Sequence, residues 1–106
     1  MGQRSLTKLY DATSTAGGSL DSGAISTEIY NAIVVHIIAS GAAAPASAAA
    51  SAVLDGGALA SLGALTLPAA GASVRNIIAT SPRSARFQAT GGAASTVRLA
   101  VYGVRE

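Results

Sequence analysis

His36 is the single histidine of the chain, cysteine is absent, and the carboxylates number five: Asp11, Asp21, Glu28, Asp55 and Glu106. Proton-transfer or nucleophilic chemistry would have to pass through His36, because a Ser-His-Asp relay needs an imidazole to take the hydroxyl proton. His36 is flanked by Ile and Val on both sides, a setting that suits a packed or interface histidine better than a general base. There is no G-x-S-x-G elbow and no H-E-x-x-H helix, and the glycine pairs lack the spacing of a phosphate-binding loop. Without thiols, zinc sites built from four cysteines or from two cysteines and two histidines are excluded. Asp21 and Asp55 lie in glycine-bearing loops, but without the alternating acidic ligands and twelfth-position Glu of an EF-hand. Both read as turn formers. The expectation is a protein with no catalytic residues, no metal and no cofactor.

The basic groups are the remaining polar resource. Arg75, Arg83, Arg86, Arg98 and Arg105 crowd the C-terminal third, and with Arg4 and Lys8 they set a pI near 9.5 at a net charge of only +2. Direct nucleic-acid binding would want such charges clustered with exposed aromatics for stacking, whereas Phe87 is predicted to point inward. The arginines are expected on solvated strand faces or in salt bridges to an acidic partner protein. A glycan platform would draw on aromatic rings, but Trp is absent and Tyr10, Tyr30 and Tyr102 are scattered.

These side chains must be carried by short strands. Turn punctuation recurs at Gly17-Gly18, Asp21-Ser22-Gly23, Gly41, Asp55-Gly56-Gly57, Pro68, Gly71, Ser81-Pro82 and Gly91-Gly92. Such spacing, with β-branched runs between, is the signature of a sandwich or barrel. In residues 96–102, Val97, Leu99 and Val101 alternate with Arg98, Ala100 and Tyr102, the period of two of a half-buried strand. Ala85, Phe87 and Ala89 alternate with Arg86 and Gln88, and Gly91-Gly92 is predicted to join this strand to the last as a hairpin. Residues 73–79 and 59–67 read as extended, residues 24–30 more weakly so. Pro45 forbids a helix through 42–52, which leaves 42–46 as loop and 47–54 as strand. The run 31–39 differs from the rest. Ile33, Val35 and Ile37 form one apolar face, and Val34 and Ile38 make the opposite face apolar too, around His36. A strand apolar on both faces is normally covered on both, so a loop, the N-terminal segment or another subunit should cover the second.

At 106 residues the chain fits one domain. The prediction is an all-β, antiparallel β-sandwich of jelly-roll or Ig-like type with about seven or eight short strands, comprising an arm over residues 1–12 and a single sandwich domain over 13–106. Its core is thin: half the residues are hydrophobic, but Ile, Leu, Val and Phe together number only 24, and roughly a quarter of the chain is Ala, which removes little area from water. Charged residues are 11%, against a typical value near 25%, so the surface is mostly Ala, Ser, Thr and Gly. With no disulfides to staple it, a chain of this kind is expected to gain stability by oligomerising. The first residues lack the apolar segment of a secretory signal, and the longest strongly apolar run is far short of the roughly 20 residues of a spanning helix. The expectation is a cytoplasmically made protein without a membrane partner.

From Ser19 onward the chain resembles small β-sandwich virion proteins of tailed bacteriophages. The resemblance is carried by Ser19-Leu20-Asp21-Ser22-Gly23, by Ile33-Val34-Val35-His36-Ile37, and by Ser51-Ala52-Val53-Leu54-Asp55-Gly56-Gly57 leading to Leu62-Gly63. Ser81-Pro82-Arg83-Ser84-Ala85-Arg86-Phe87 and the closing Val97-Arg98-Leu99-Ala100-Val101-Tyr102-Gly103 complete it. Two departures stand out: no aromatic follows the Asp-Gly turn, and Ala replaces larger residues across 42–52. The resemblance implies a head decoration (cement) protein of the virion that binds the major capsid protein, often as a trimer. The alternative reading is a receptor- or glycan-binding module of a phage tail, spike or fibre. The residues expected at a partner interface are Arg4, Leu6, Lys8, Leu9 and Tyr10 of the arm, Val34, His36 and Ile38 of the two-faced strand, and Arg83 and Arg86.

Overall fold

The computed structural model describes residues 5–79, 81–92 and 95–105. Eight strands form: β1 (Ser5–Thr13), β2 (Ser19–Ser26), β3 (Ala32–Gly41), β4 (Ser47–Val53), β5 (Leu59–Ala64), β6 (Ser73–Ile78), β7 (Ser84–Thr90) and β8 (Ser95–Arg105). They pair into two antiparallel four-stranded sheets, a front sheet in the order β1-β8-β3-β6 and a back sheet in the order β2-β7-β4-β5. Every connection crosses between the sheets except the one from β4 to β5, a turn over Asp55–Gly57. Eight strands wound alternately between two sheets make a jelly roll, one of the two sandwich types expected. No helix among the described residues is long and apolar enough to cross a membrane.

The two inner faces are built from different residue types. The front sheet contributes Ile33, Val35, Ile37, Ile78, Val97, Leu99 and Val101, whereas the fully buried part of the back sheet is Ala50, Ala52, Ala85 and Ala89 around Phe87, with Leu20, Ile25 and Leu62 packed on it partly buried. Small residues on one wall leave room that Phe87 fills from its own sheet, opposite Ala50 of β4. The Ala run of 47–53 is thus a strand because its inward residues fit beside a ring, not because Ala favours strands. At one end, the Tyr30 ring lies against β8 at Gly103, where a Cβ would meet ring atoms at 2.5 Å.

Several expectations are corrected by this topology. Gly91-Gly92 is not a hairpin, since β7 and β8 belong to different sheets. The glycines serve close backbone approach at a crossover: a Cβ on Gly91 would lie 2.6 Å from the Ser95 carbonyl, and one on Gly92 2.8 Å from that of Ala44. The expected arm is strand from Ser5 onward, paired with β8 along its length. Its alternation is hidden because a bulge between Lys8 and Tyr10 turns Leu9 and Tyr10 against the core. The strand expected over 24–30 lies earlier, at β2, and Thr27 begins a turn closed by Tyr30 N–H donating to the Thr27 carbonyl at 3.2 Å. Thr27, fully buried, is pinned there by its own hydroxyl, which donates to the Pro82 carbonyl at 2.6 Å. Of 59–67 only the first part is strand. Leu65 and Leu67 instead pack on the core while the Asn76 side chain accepts from Thr66 N–H at 2.8 Å and donates to its carbonyl at 3.0 Å.

Candidate functional site

The outer surface of the front sheet follows from strand register. One row across it runs Lys8, Tyr102, Val34, Ile77 and the next Asp11, Ala100, His36, Arg75, with Arg98, Ile38 and Ser73 beyond. Leu6 lies beside Val104 at the edge. Leu6, Val34, His36, Ser73, Arg75 and Tyr102 line one shallow groove. Apolar side chains run through the groove and beside it: Val34 and Ile38 are half-buried, Leu6 is 64% exposed and Ile77 is 74% exposed. Among the described residues neither the N-terminal strand nor a loop covers this face, because β1 extends the sheet sideways rather than folding over it. The second apolar side of β3 is therefore only half covered by the described residues.

The charges around the groove are unevenly satisfied. Arg98 grips Asp11 through both ends of its guanidinium, Nε to Oδ1 at 2.9 Å and Nη2 to Oδ2 at 2.7 Å, and Lys8 donates to the same carboxylate at 3.1 Å. These bonds, Arg98 first and Lys8 second, hold the Asp11 carboxyl well below the usual carboxylate range. Arg75 has no ion-pair partner among the described residues. Counting Lys8, Arg75 and Arg98 against Asp11, the face is net positive. His36 makes no hydrogen bond to a carboxylate among the described residues, and no group of three or more His, Asp or Glu there could hold a metal ion.

Of the residues expected at an interface, Leu6, Lys8, Val34, His36 and Ile38 are gathered on this face. Leu9 and Tyr10 turn inward at the β1 bulge, and Arg4 lies outside the described residues. Arg83 sits in a separate shallow groove with Leu54 and Asp55, its Nε 3.7 Å from Glu28. Arg86 is on the back sheet, where it clasps Asp21 through Nε and Nη2. That pairing, with the Gly23 N–H donating to Asp21 at 2.8 Å, lowers the Asp21 carboxyl far below its ordinary value. It also shapes the β2 bulge, in which Ser22 Oγ accepts the Phe87 N–H at 2.9 Å. Arg75, Tyr102 and Ile77 join the face unanticipated. The period of two within 73–79 pairs Arg75 with Ile77, but only the pairing of β6 with β3 sets both beside Val34 and His36.

Both carboxyls titrate lower in the folded chain than in the unfolded one, so their contribution to stability is whole above about pH 4 and is lost as the pH falls toward the folded value. Thermal melts between pH 7 and pH 2 should show a midpoint that holds to about pH 4 and then declines. The Asp11→Asn, Asp21→Asn double variant should show a flatter acid limb; an unchanged slope would mean that these clasps do not set the acid response.

No family model, no curated protein and no solved structure matches the chain.

Proposed function

We propose that the protein is a structural module of a virion, a capsid decoration (cement) protein that binds the major capsid protein, associates with copies of itself and stabilises the shell. The observation that carries this reading is the outer face of the front sheet, where Leu6, Val34, Ile38, Ile77 and Tyr102 form an apolar surface that no strand or loop among the described residues covers. Contiguous apolar surface rimmed by polar groups marks a site of protein contact. Jelly rolls recur in viral capsid and lectin domains, a fold-level analogy that agrees with the residue pattern from Ser19 onward. The role needs no catalytic residue, metal, cofactor, nucleic acid or membrane. Many copies, each bound weakly, would add through effective concentration on a repeating shell, in a particle assembled in the host cytoplasm.

Co-sedimentation tests this reading: phage shells lacking the protein should take it up saturably, and shells carrying it should withstand heating better than bare ones. Failure of the protein to bind any such shell would remove the proposal. A second reading, a receptor- or glycan-binding module of a tail, spike or fibre, is favoured by Tyr102 standing beside Arg75, His36 and Ser73, a ring flanked by hydrogen-bonding groups. Saturable binding on a glycan array, lost in Tyr102→Ala, would select it instead.

A further inference from the structure

Among the described residues three charged groups, Asp55, Arg75 and Arg105, have no ion pair, and two of them border exposed apolar surface. Among the described carboxylates Asp11 is held by Arg98 and Lys8, Asp21 by Arg86, and Glu28 lies near Arg83, while Asp55 has no ion pair or hydrogen bond. Asp55 begins the turn between β4 and β5, and the leucines on either side of that turn, Leu54 and Leu59, are 52% and 45% exposed. The turn therefore offers an acidic group between exposed leucines, at the rim of the shallow groove that Arg83 also lines. Arg75 is its complement, an unpaired guanidinium at the rim of an apolar groove. The two features lie on different sheets, so the same chain offers a plug at one place and a socket at another.

We infer that the front-sheet groove receives the Leu54-Asp55 turn of a second copy, with Asp55 meeting Arg75 and the leucines covering Val34, Leu6 and Ile77. The inference rests on the proposal that this face is an intermolecular surface and names its occupant. A face-to-face contact between two identical front sheets would bring Arg75, Lys8 and Arg98 of both copies together, and like charges across an interface oppose association. Plug-into-socket contact avoids this and removes an exposed apolar patch from each partner. It is heterologous, so copies join head to tail and close as a ring where the rotation permits. The covered faces are then those a thin-cored chain has most to gain by burying.

Light scattering behind size-exclusion chromatography, across a dilution series of the full-length protein, tests this by charge exchange. Wild-type protein should associate. Arg75→Asp and Asp55→Arg should each weaken association at least tenfold, and the double variant should recover most of it, with circular dichroism reporting that all four chains stay folded. Ala49→Asp, which adds negative charge on the exposed outer side of the back sheet, should shift association less than twofold. Single variants that associate as wild type, or a double variant no better than the singles, would overturn the pairing. So would a wild-type chain that stays monomeric at millimolar concentration. If Ile77→Asp disrupts association while Asp55→Arg does not, the face stands as an interface and the plug is wrong. If shells still take up a monomeric chain, the decoration role stands and self-association through this turn does not.

Discussion

Phe87→Ala lowers the unfolding free energy by about 3–5 kcal/mol, the range for emptying a buried aromatic site, and the surroundings place it toward the upper end. Phe87 is fully buried, it is the only Phe of the chain, and its neighbours on the back sheet, Ala50, Ala85 and Ala89, have no side-chain length to lend. Across the gap stand β-branched residues of the front sheet, Ile33, Val35 and Ile37 among them, whose stiff χ1 angles limit inward movement. The cavity therefore persists. In a domain whose whole stability is of the order of 5–15 kcal/mol, the loss is a large fraction. Urea denaturation at matched protein concentration should show a sharply lower midpoint, with Phe87→Leu falling between wild type and Phe87→Ala. A midpoint shifted by less than about 1 kcal/mol would mean that the sheets close over the site, and the two-wall description of the core would fail.

Ile77→Asp produces the opposite dissociation of effects. Ile77 is 74% exposed on an edge strand, so in the single chain its replacement should cost no more than about 0.5 kcal/mol, as for surface positions generally. In an assembly that covers the front sheet, the same change buries an unpaired carboxylate and should weaken association by about 2 kcal/mol or more. Val34→Asp and Ile38→Asp should act in the same direction, but those side chains are half-buried already, so part of their effect falls on folding. Ala49→Asp, on the exposed outer side of the back sheet, serves as the control and should leave both properties alone. Loss of folding in Ile77→Asp would assign that side chain to the domain's own stability. Unchanged association would leave the face without an interface role.

Much of this architecture was written in alternation. The inward sets Val97-Leu99-Val101 and Ala85-Phe87-Ala89 repeat every second residue, and period two with frequent turns is enough for an all-β sandwich. The double apolar face of the third strand was equally plain, because Val34 and Ile38 break the usual inward-outward rhythm. What escaped were features fixed by long-range pairing. Gly91-Gly92 satisfies a hairpin rule locally, yet the partners of β8 are β1 and β3, both more than fifty residues earlier. Leu6, Leu9 and Tyr10 look like anchors of a loose arm because the bulge after Lys8 interrupts their period. Arg86 appeared available to a partner until the fold set it beside Asp21, while Arg75, equal to it in sequence terms, came to lie without an ion-pair partner among the described residues.

The central claim is that the outer face of the front sheet is covered in the functional protein. Hydroxyl-radical footprinting of Leu6, Ile77 and Tyr102, read by mass spectrometry on dilute protein, on concentrated protein and on protein bound to shells, measures this directly. All three side chains should label readily at high dilution and lose most of their reactivity on assembly. Labelling that stays at the dilute level under every condition, with protection appearing elsewhere or nowhere, would contradict it.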